Sequence, residues 1–164
     1  MAEATGGPIV VVDASTLLRA LDANDLQRAT ALEALTGAHA RWPVTAPRLL
    51  VWEVGQVVYR KLPLVFGRTL EERHRRVDAL LRGIHLDAPE DPLPAAHRTG
   101  ELVERHAMTF YDAAYLELAE RLGPSAHLLT EDERLQEQAT RALGQGRAHD
   151  SARFLRLLAR HPLD

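Results

Sequence analysis

Cysteine is absent from the 164 residues, which excludes disulfides, thiolate metal sites and cysteine nucleophiles. Aromatic residues are few, 2 Trp, 3 Tyr and 3 Phe. Lysine is nearly missing: Lys61 is the only one, and the rest of the positive charge is arginine, the better fork for phosphate oxygens. The net charge of −3 is not that of a general nucleic-acid binder. A nucleic-acid substrate would therefore need a local basic patch and would bind with a steep salt dependence. No apolar run approaches the ~20 residues of a membrane span, so no membrane association is expected. Residues 1–7 lack a basic region followed by an apolar core, so no signal peptide is expected there. They are expected to form a flexible lead-in, and the cytoplasm is the expected location. The eight histidines form no HxH or HExxH pattern, Ser125 has no G-x-S-x-G context, and no Walker-type glycine loop occurs.

With 46% hydrophobic and 26% charged residues, the chain has the balance of a soluble globular protein of one domain, expected over residues 8–164. Its organising stretch runs from Pro8 to Leu18. Four β-branched residues, Ile9-Val10-Val11-Val12, end in Asp13, followed by Ala14, Ser15 and Thr16. An unbroken apolar run suits a strand covered on both faces, as in a parallel sheet. Asp13 then stands where that strand leaves the core, the edge at which open α/β sheets bind ligands.

The remaining pattern alternates. Helices are expected over 15–21 and from Asp25 to Leu35, with Leu26, Ala29 and Leu32 on one face and Gly37 as its end. A strand follows at 44–46, then a helix over 48–61 with Pro47 in its first turn and Pro63 as its stop. Gly67-Arg68 opens another helix, with Leu70, Val77, Leu80 and Leu81 turned inward, ending at Gly83. A strand at 84–86, a loop with three prolines, and helices over 94–106 and 113–122 come next. A strand at 126–130, a helix through Leu143 and a poor last strand at 147–150 precede a final helix at about 151–160. Strands alternating with helices indicate an α/β fold on a parallel sheet.

Four carboxylates occupy comparable places. Asp13 and Asp132 follow strands; Glu53 and Asp112 lie in the first turns of helices. With right-handed crossovers, strand C-termini and the following helix N-termini gather on one edge. Any one of these acids could merely cap a helix or complement its dipole. Together they crowd like charges, which a hard divalent cation, Mg²⁺ or Mn²⁺, would neutralise through oxygen ligands. Asp13, Asp112 and Asp132 are the expected metal ligands, direct or through water. Glu53 would complete the shell or orient the nucleophilic water. Such a site suggests phosphodiester hydrolysis with one ion, or with two ~3.5–4 Å apart.

Val-Val-Asp-Ala-Ser at 11–15, Trp-Glu-Val-Gly-Gln at 52–56, Thr-Phe-Tyr-Asp-Ala-Ala-Tyr-Leu-Glu-Leu-Ala at 109–119 and Leu-Leu-Thr-Glu-Asp-Glu-Arg-Leu at 128–135 resemble the motifs of PIN domains. The nearest likeness is to VapC-type toxins of bacterial toxin–antitoxin pairs. The resemblance implies a three-layer α/β/α sandwich with the first strand central. It further implies an Mg²⁺- or Mn²⁺-dependent endoribonuclease, usually a homodimer and held in check by a cognate antitoxin. The acids it implies are Asp13, Glu53, Asp112 and Asp132, with Ser15 and Thr130 as hydroxyl support; Gln56 replaces the usual Asn.

Three stretches could grip an RNA backbone or could be solvated faces: Arg60-Lys61 at the far end of the Glu53 helix; Arg68, Arg73, Arg75 and Arg76; and Arg153, Arg156 and Arg160, a stripe on the last helix. Tyr111 and Tyr115 could stack on a base or pack in the core. Apolar residues on the 68–82 helix and the last helix could meet an antitoxin or a second copy. Two rivals remain. A phosphatase with Asp13 as nucleophile would normally want a second Asp at position 15, where Ser stands. A non-catalytic RNA- or protein-binding module of the same fold is the other; a family relative could also serve in RNA processing without being a toxin.

Overall fold

The structure, a computed structural model, describes residues 8–20, 30, 31, 33, 35, 42–61 and 69–160. The expected lead-in at 1–7, most of the helix from Asp25, the ends at Gly37 and Pro63, and Gly67-Arg68 lie outside the described residues.

Among the described residues the chain runs β1 (Ile9–Val12), α1 (Ala14–Arg19), β2 (Val44–Pro47), α2 (Leu49–Gly55), a π-helical segment (Gln56–Lys61), α3 (Leu70–Leu81), β3 (Ile84–Asp87), α4 (Leu93–His106), α5 (Phe110–Arg121), β4 (Ala126–Leu129), α6 (Glu133–Leu143), β5 (Ala148–His149) and α7 (Ser151–Arg160). The five strands form one parallel sheet in the order β3-β2-β1-β4-β5, with β1 central. Val10, Val11 and Val12 are wholly buried because helices cover both faces of the sheet. Helix α5 is buried on nearly every side from Ala113 to Ala119, so it serves as an inner helix rather than an amphipathic surface one. Its one interior charge, Glu117, is met by Arg98 of α4 at 2.8 Å and by Arg121 at 3.1 Å; Arg121 also pairs with Asp87 at the end of β3 at 2.6 Å.

Several boundaries differ from the sequence expectation. Pro47 closes β2 instead of opening the next helix, and Arg48 begins that helix without a side-chain cap. The expected regular helix over 48–61 is α-helical only to Gly55 and then widens into the π segment. Gly55 and the β-branched pair Val57-Val58 are weak α-formers at that junction. Helix α3 starts later than Gly67-Arg68, at a capping box: Thr69 Oγ1 accepts from Glu72 N, and Glu72 accepts from Thr69 N. Leu70, expected inward, is 57% exposed: it lies in the first turn, before the part of the helix where Val77, Leu80 and Leu81 pack on the core.

The poor last strand is real but two residues long. Side-chain bonds replace the missing ladder. The Arg147 guanidinium donates to the carbonyls of Ala126 (2.9 Å), Ala119 (3.0 Å) and Gly123 (2.6 Å). Behind this edge, His127 and His149 touch through Nδ1 and Nε2 at 3.0 Å, and Trp42 stacks on His127 while meeting Phe154 edge-on.

Leu128, wholly buried in β4, should cost about 2–5 kcal/mol when cut to Ala, whereas Leu70→Ala should stay within about 0.5 kcal/mol; urea denaturation separates the two. Burial, then the charge of His127, holds the His149 pKa down at about 4 from 6.5. The unfolded chain therefore binds a proton between those values that the native protein does not. Stability should fall as pH drops below about 6.5, with the loss complete below about 4. Denaturation midpoints across that range should slope less in His149→Leu.

Candidate active site

Strand β1 delivers Asp13 to the C-terminal edge of the sheet, where its N–H still bonds to Leu129 O of β4 (3.2 Å). The residue then becomes the N-cap of α1. Its Oδ1 accepts from Thr16 N (3.0 Å), Thr16 Oγ1 (3.1 Å) and Ser15 Oγ (2.8 Å), and its Oδ2 accepts from Thr130 Oγ1 (2.8 Å) and Ser15 Oγ (2.9 Å). Asp13 is thus the helix cap that the sequence allowed. The hydroxyls are themselves fixed from the β4–α6 turn. Asp132 N–H donates to Thr130 Oγ1 (3.0 Å), and Glu131 N–H donates to Ser15 Oγ (2.9 Å). Two backbone amides therefore reach the Asp13 carboxylate through one hydroxyl each. Burial raises the Asp13 pKa and outweighs these hydrogen bonds, which lower it.

Helices α2 and α5 bring two further acids. Glu53 is half-buried, and its Oε2 accepts a short hydrogen bond from the Tyr115 hydroxyl. Its pKa is raised by burial first; the Tyr115 bond opposes the rise, and the charges of Asp13 and Asp112 add to it. Tyr115 is buried in α5, and burial with the neighbouring Glu53 pushes its pKa up, so the hydroxyl stays a donor. Asp112, also half-buried, stands in the first turn of α5 behind the Thr109 cap. Its carboxylate and Glu53 Oε1 make no hydrogen bond among the described residues. No Arg or Lys among those residues forms an ion pair with Asp13, Glu53, Asp112 or Asp132.

Asp132 joins differently. Its amide belongs to the Thr130 relay, but its exposed carboxylate turns back to cap α6 through Leu135 N (3.0 Å). Among the described residues no three His, Asp or Glu side chains form a ready-made metal cage. The oxygens of Asp13 and Asp132 face hydroxyl and amide donors instead. An all-oxygen donor set of this kind fits a hard cation that keeps several waters and takes one or two carboxylates, as Mg²⁺ does.

Sequence reasoning did not single out Thr16 or the pairing of Tyr115 with Glu53. Asp at the start of a helix signals a cap that accepts from the N–H three residues on, which is Thr16 here. Nothing in spacing alone signals the second. The two tyrosines divide: Tyr115 is interior and Tyr111 is 60% exposed. Gln56 is exposed and lines a groove with Glu53, Ser15 and Tyr111. Lys61, at the far end of the Glu53 helix, reaches that same groove across the π segment, while Arg60 faces solvent. On α3, Arg75 is exposed beside Glu71 (3.8 Å), Arg76 is exposed and Arg73 is partly covered; Arg68 lies outside the described residues. Arg153, Arg156 and Arg160 occupy the solvent face of α7, opposite Phe154, with Arg153 near Asp150 (3.9 Å). The described arginines of the three stretches belong to three separate elements, the π segment, α3 and α7.

Compared with known families, residues 10–141 match the family model described as PIN domain. No curated protein sequence matches the chain.

Replacing Thr130 by the isosteric Val removes a donor from a buried carboxylate and an acceptor from Asp132 N. Chemical denaturation should show a loss of about 1–3 kcal/mol, several times what exposed threonines cost.

Proposed function

The chain belongs to the PIN domain family, and from that premise we propose that it is a divalent-metal-dependent endoribonuclease, the toxin of a type II toxin–antitoxin pair. PIN domains are generally nucleases and typically use divalent metal ions. The observation that carries the reading is electrostatic: Asp13 and Asp112, distant from Glu53 in the chain, both raise its pKa, and none of the three forms an ion pair with an Arg or Lys among the described residues. The VapC-like motifs of the sequence support the toxin role, and RNA is the corresponding substrate. A cognate antitoxin and a second copy of the chain are the partners this reading entails.

Asp13, Asp112 and, through its backbone-linked turn, Asp132 would hold Mg²⁺ or Mn²⁺ with Glu53 beside them. The ion, when bound, makes water a stronger acid and offsets charge on the scissile phosphate. The chain supplies the rest. Tyr115 fixes Glu53 through Oε2 and leaves Oε1 to orient the attacking water and accept its proton. A raised pKa brings that carboxylate nearer the working range of a general base. Ser15 and Thr130 hold Asp13 in one orientation, so no reorganisation is needed on that side of the site.

Asp13→Asn is a poor test of this site, because the Asn amide would confront the hydroxyl and amide donors that now point at a carboxylate. Asp112→Asn and Glu53→Gln leave those contacts untouched. Each should lower Mn²⁺-supported cleavage of an end-labelled RNA pool by about 10²-fold or more, with melting temperature little changed. Chelation with EDTA should stop the wild-type reaction, and expression of the wild type but not Asp112→Asn should arrest growth. Full cleavage by Asp112→Asn, or none by the wild type with either metal, would sink the assignment.

A further inference from the structure

The groove beside the acids carries an exposed apolar surface that the acid chemistry does not use. Trp52 is 79% exposed and Tyr111 60% exposed, from different elements, and both line one groove of about 510 Å³ with Glu53, Gln56 and Lys61. Leaving an indole in water forfeits the apolar burial that a core position would provide, so two exposed aromatics lining one groove are informative where a single exposed Leu is not. Here two of the chain's few aromatics are spent at the rim of the candidate active site.

We infer that this groove is a base-stacking subsite: an unpaired nucleotide lies against Trp52 and Tyr111, with its phosphate on Lys61 and its edge toward Gln56. The lining supplies each part of such a ligand. Aromatic faces stack on any base, so binding needs no particular sequence. Lys61 is the one lysine of the chain and complements a phosphate. The Gln56 amide, exposed and without a hydrogen bond among the described residues, offers both a donor and an acceptor. An apolar peptide would cover the rings but leave Lys61 and Gln56 unanswered, and an acidic one would meet Glu53. A base within a duplex has no free face, so the subsite selects single strands. Because Trp52 immediately precedes Glu53, a stacked base is registered next to the acid, which makes Trp52 a positioning residue for the phosphodiester beside it.

The inference rests on the nuclease reading for the fate of the strand, but not for its binding, and the two can fail separately. Titration of a fluorophore-labelled, short random-sequence single-stranded RNA with the full chain in EDTA, read by anisotropy for every variant and by tryptophan emission where Trp52 is kept, isolates binding from cleavage. Trp42 is packed against His127 and Phe154, so the ligand-sensitive emission is that of Trp52. Single strands should quench it and the matching duplex should not. Trp52→Ala and Trp52→Leu should each weaken binding about tenfold, as should Tyr111→Ala to a smaller degree, while Trp52→Phe should stay within about threefold. Equal binding of single strand and duplex, no binding of single strand, or wild-type affinity in Trp52→Leu would overturn the subsite; the last would mark the groove as an apolar docking surface for a protein segment. If Mn²⁺ supports cleavage and Trp52→Ala leaves its KM unchanged, the subsite falls and the nuclease stands. If Trp52-dependent binding is found without cleavage by the wild type, the nuclease falls and the subsite stands.

Discussion

A carboxylate that burial disfavours, placed at the end of the central strand, is the constraint around which this protein is arranged. Asp13 is almost fully covered, and an unaccompanied buried charge would cost several kcal/mol. The surrounding structure answers with donors from both ends of the domain: Ser15 and Thr16 from α1, Thr130 from the end of β4. Each of these bonds also fixes chain geometry. The bond from Thr16 N–H lets Asp13 cap α1, and Thr130 ties the β4–α6 turn to Asp13 at the end of β1. The contacts that make the charge tolerable are the same ones that join the first strand to the fourth.

The neighbouring acids follow the opposite principle. Glu53 is partly satisfied by Tyr115, yet the charges of Asp13 and Asp112 still press on it, and Asp112 has no partner among the described residues. A protein selected for stability alone would place an Arg there, as this one does around Glu117, where Arg98 and Arg121 close on a buried carboxylate only a few residues along α5. The same helix α5 thus carries Glu117, paired with two arginines, and Asp112, whose carboxylate forms no ion pair among the described residues. Electrostatic tension kept in one place and removed in another is characteristic of functional sites.

What the sequence made legible was whatever depends on local pattern. The run from Ile9 to Val12 read as an inner strand and is the central one, with Asp13 directly after it as the cap of α1. What it hid depends on long-range partners. Strand β5 has no pattern because Arg147 holds it through three carbonyls of another segment. The Tyr115–Glu53 bond joins residues far apart in the chain, and Asp132 turned out to use its amide toward the site and its carboxylate toward its own helix. Leu70 was misplaced because heptad-like spacing says nothing about where a helix begins; the capping box at Thr69 and Glu72 did carry that information. The widening of the helix after Gly55 is likewise invisible to periodicity, yet it accompanies the arrival of Lys61 at the Glu53 groove.

The two-residue β5 has a consequence for how copies of this chain meet. An outer strand is ordinarily a template on which a second polypeptide can add itself, amide to carbonyl, and long flat margins invite fibres. Here that margin offers only Ala148 and His149, with α7 beginning two residues further on and Arg147 already spending its reach inward. Such a border gives a stranger no register to follow. The protein can therefore accumulate in a cell without that side of its sheet nucleating aggregates, a protection obtained from shortness rather than from charge.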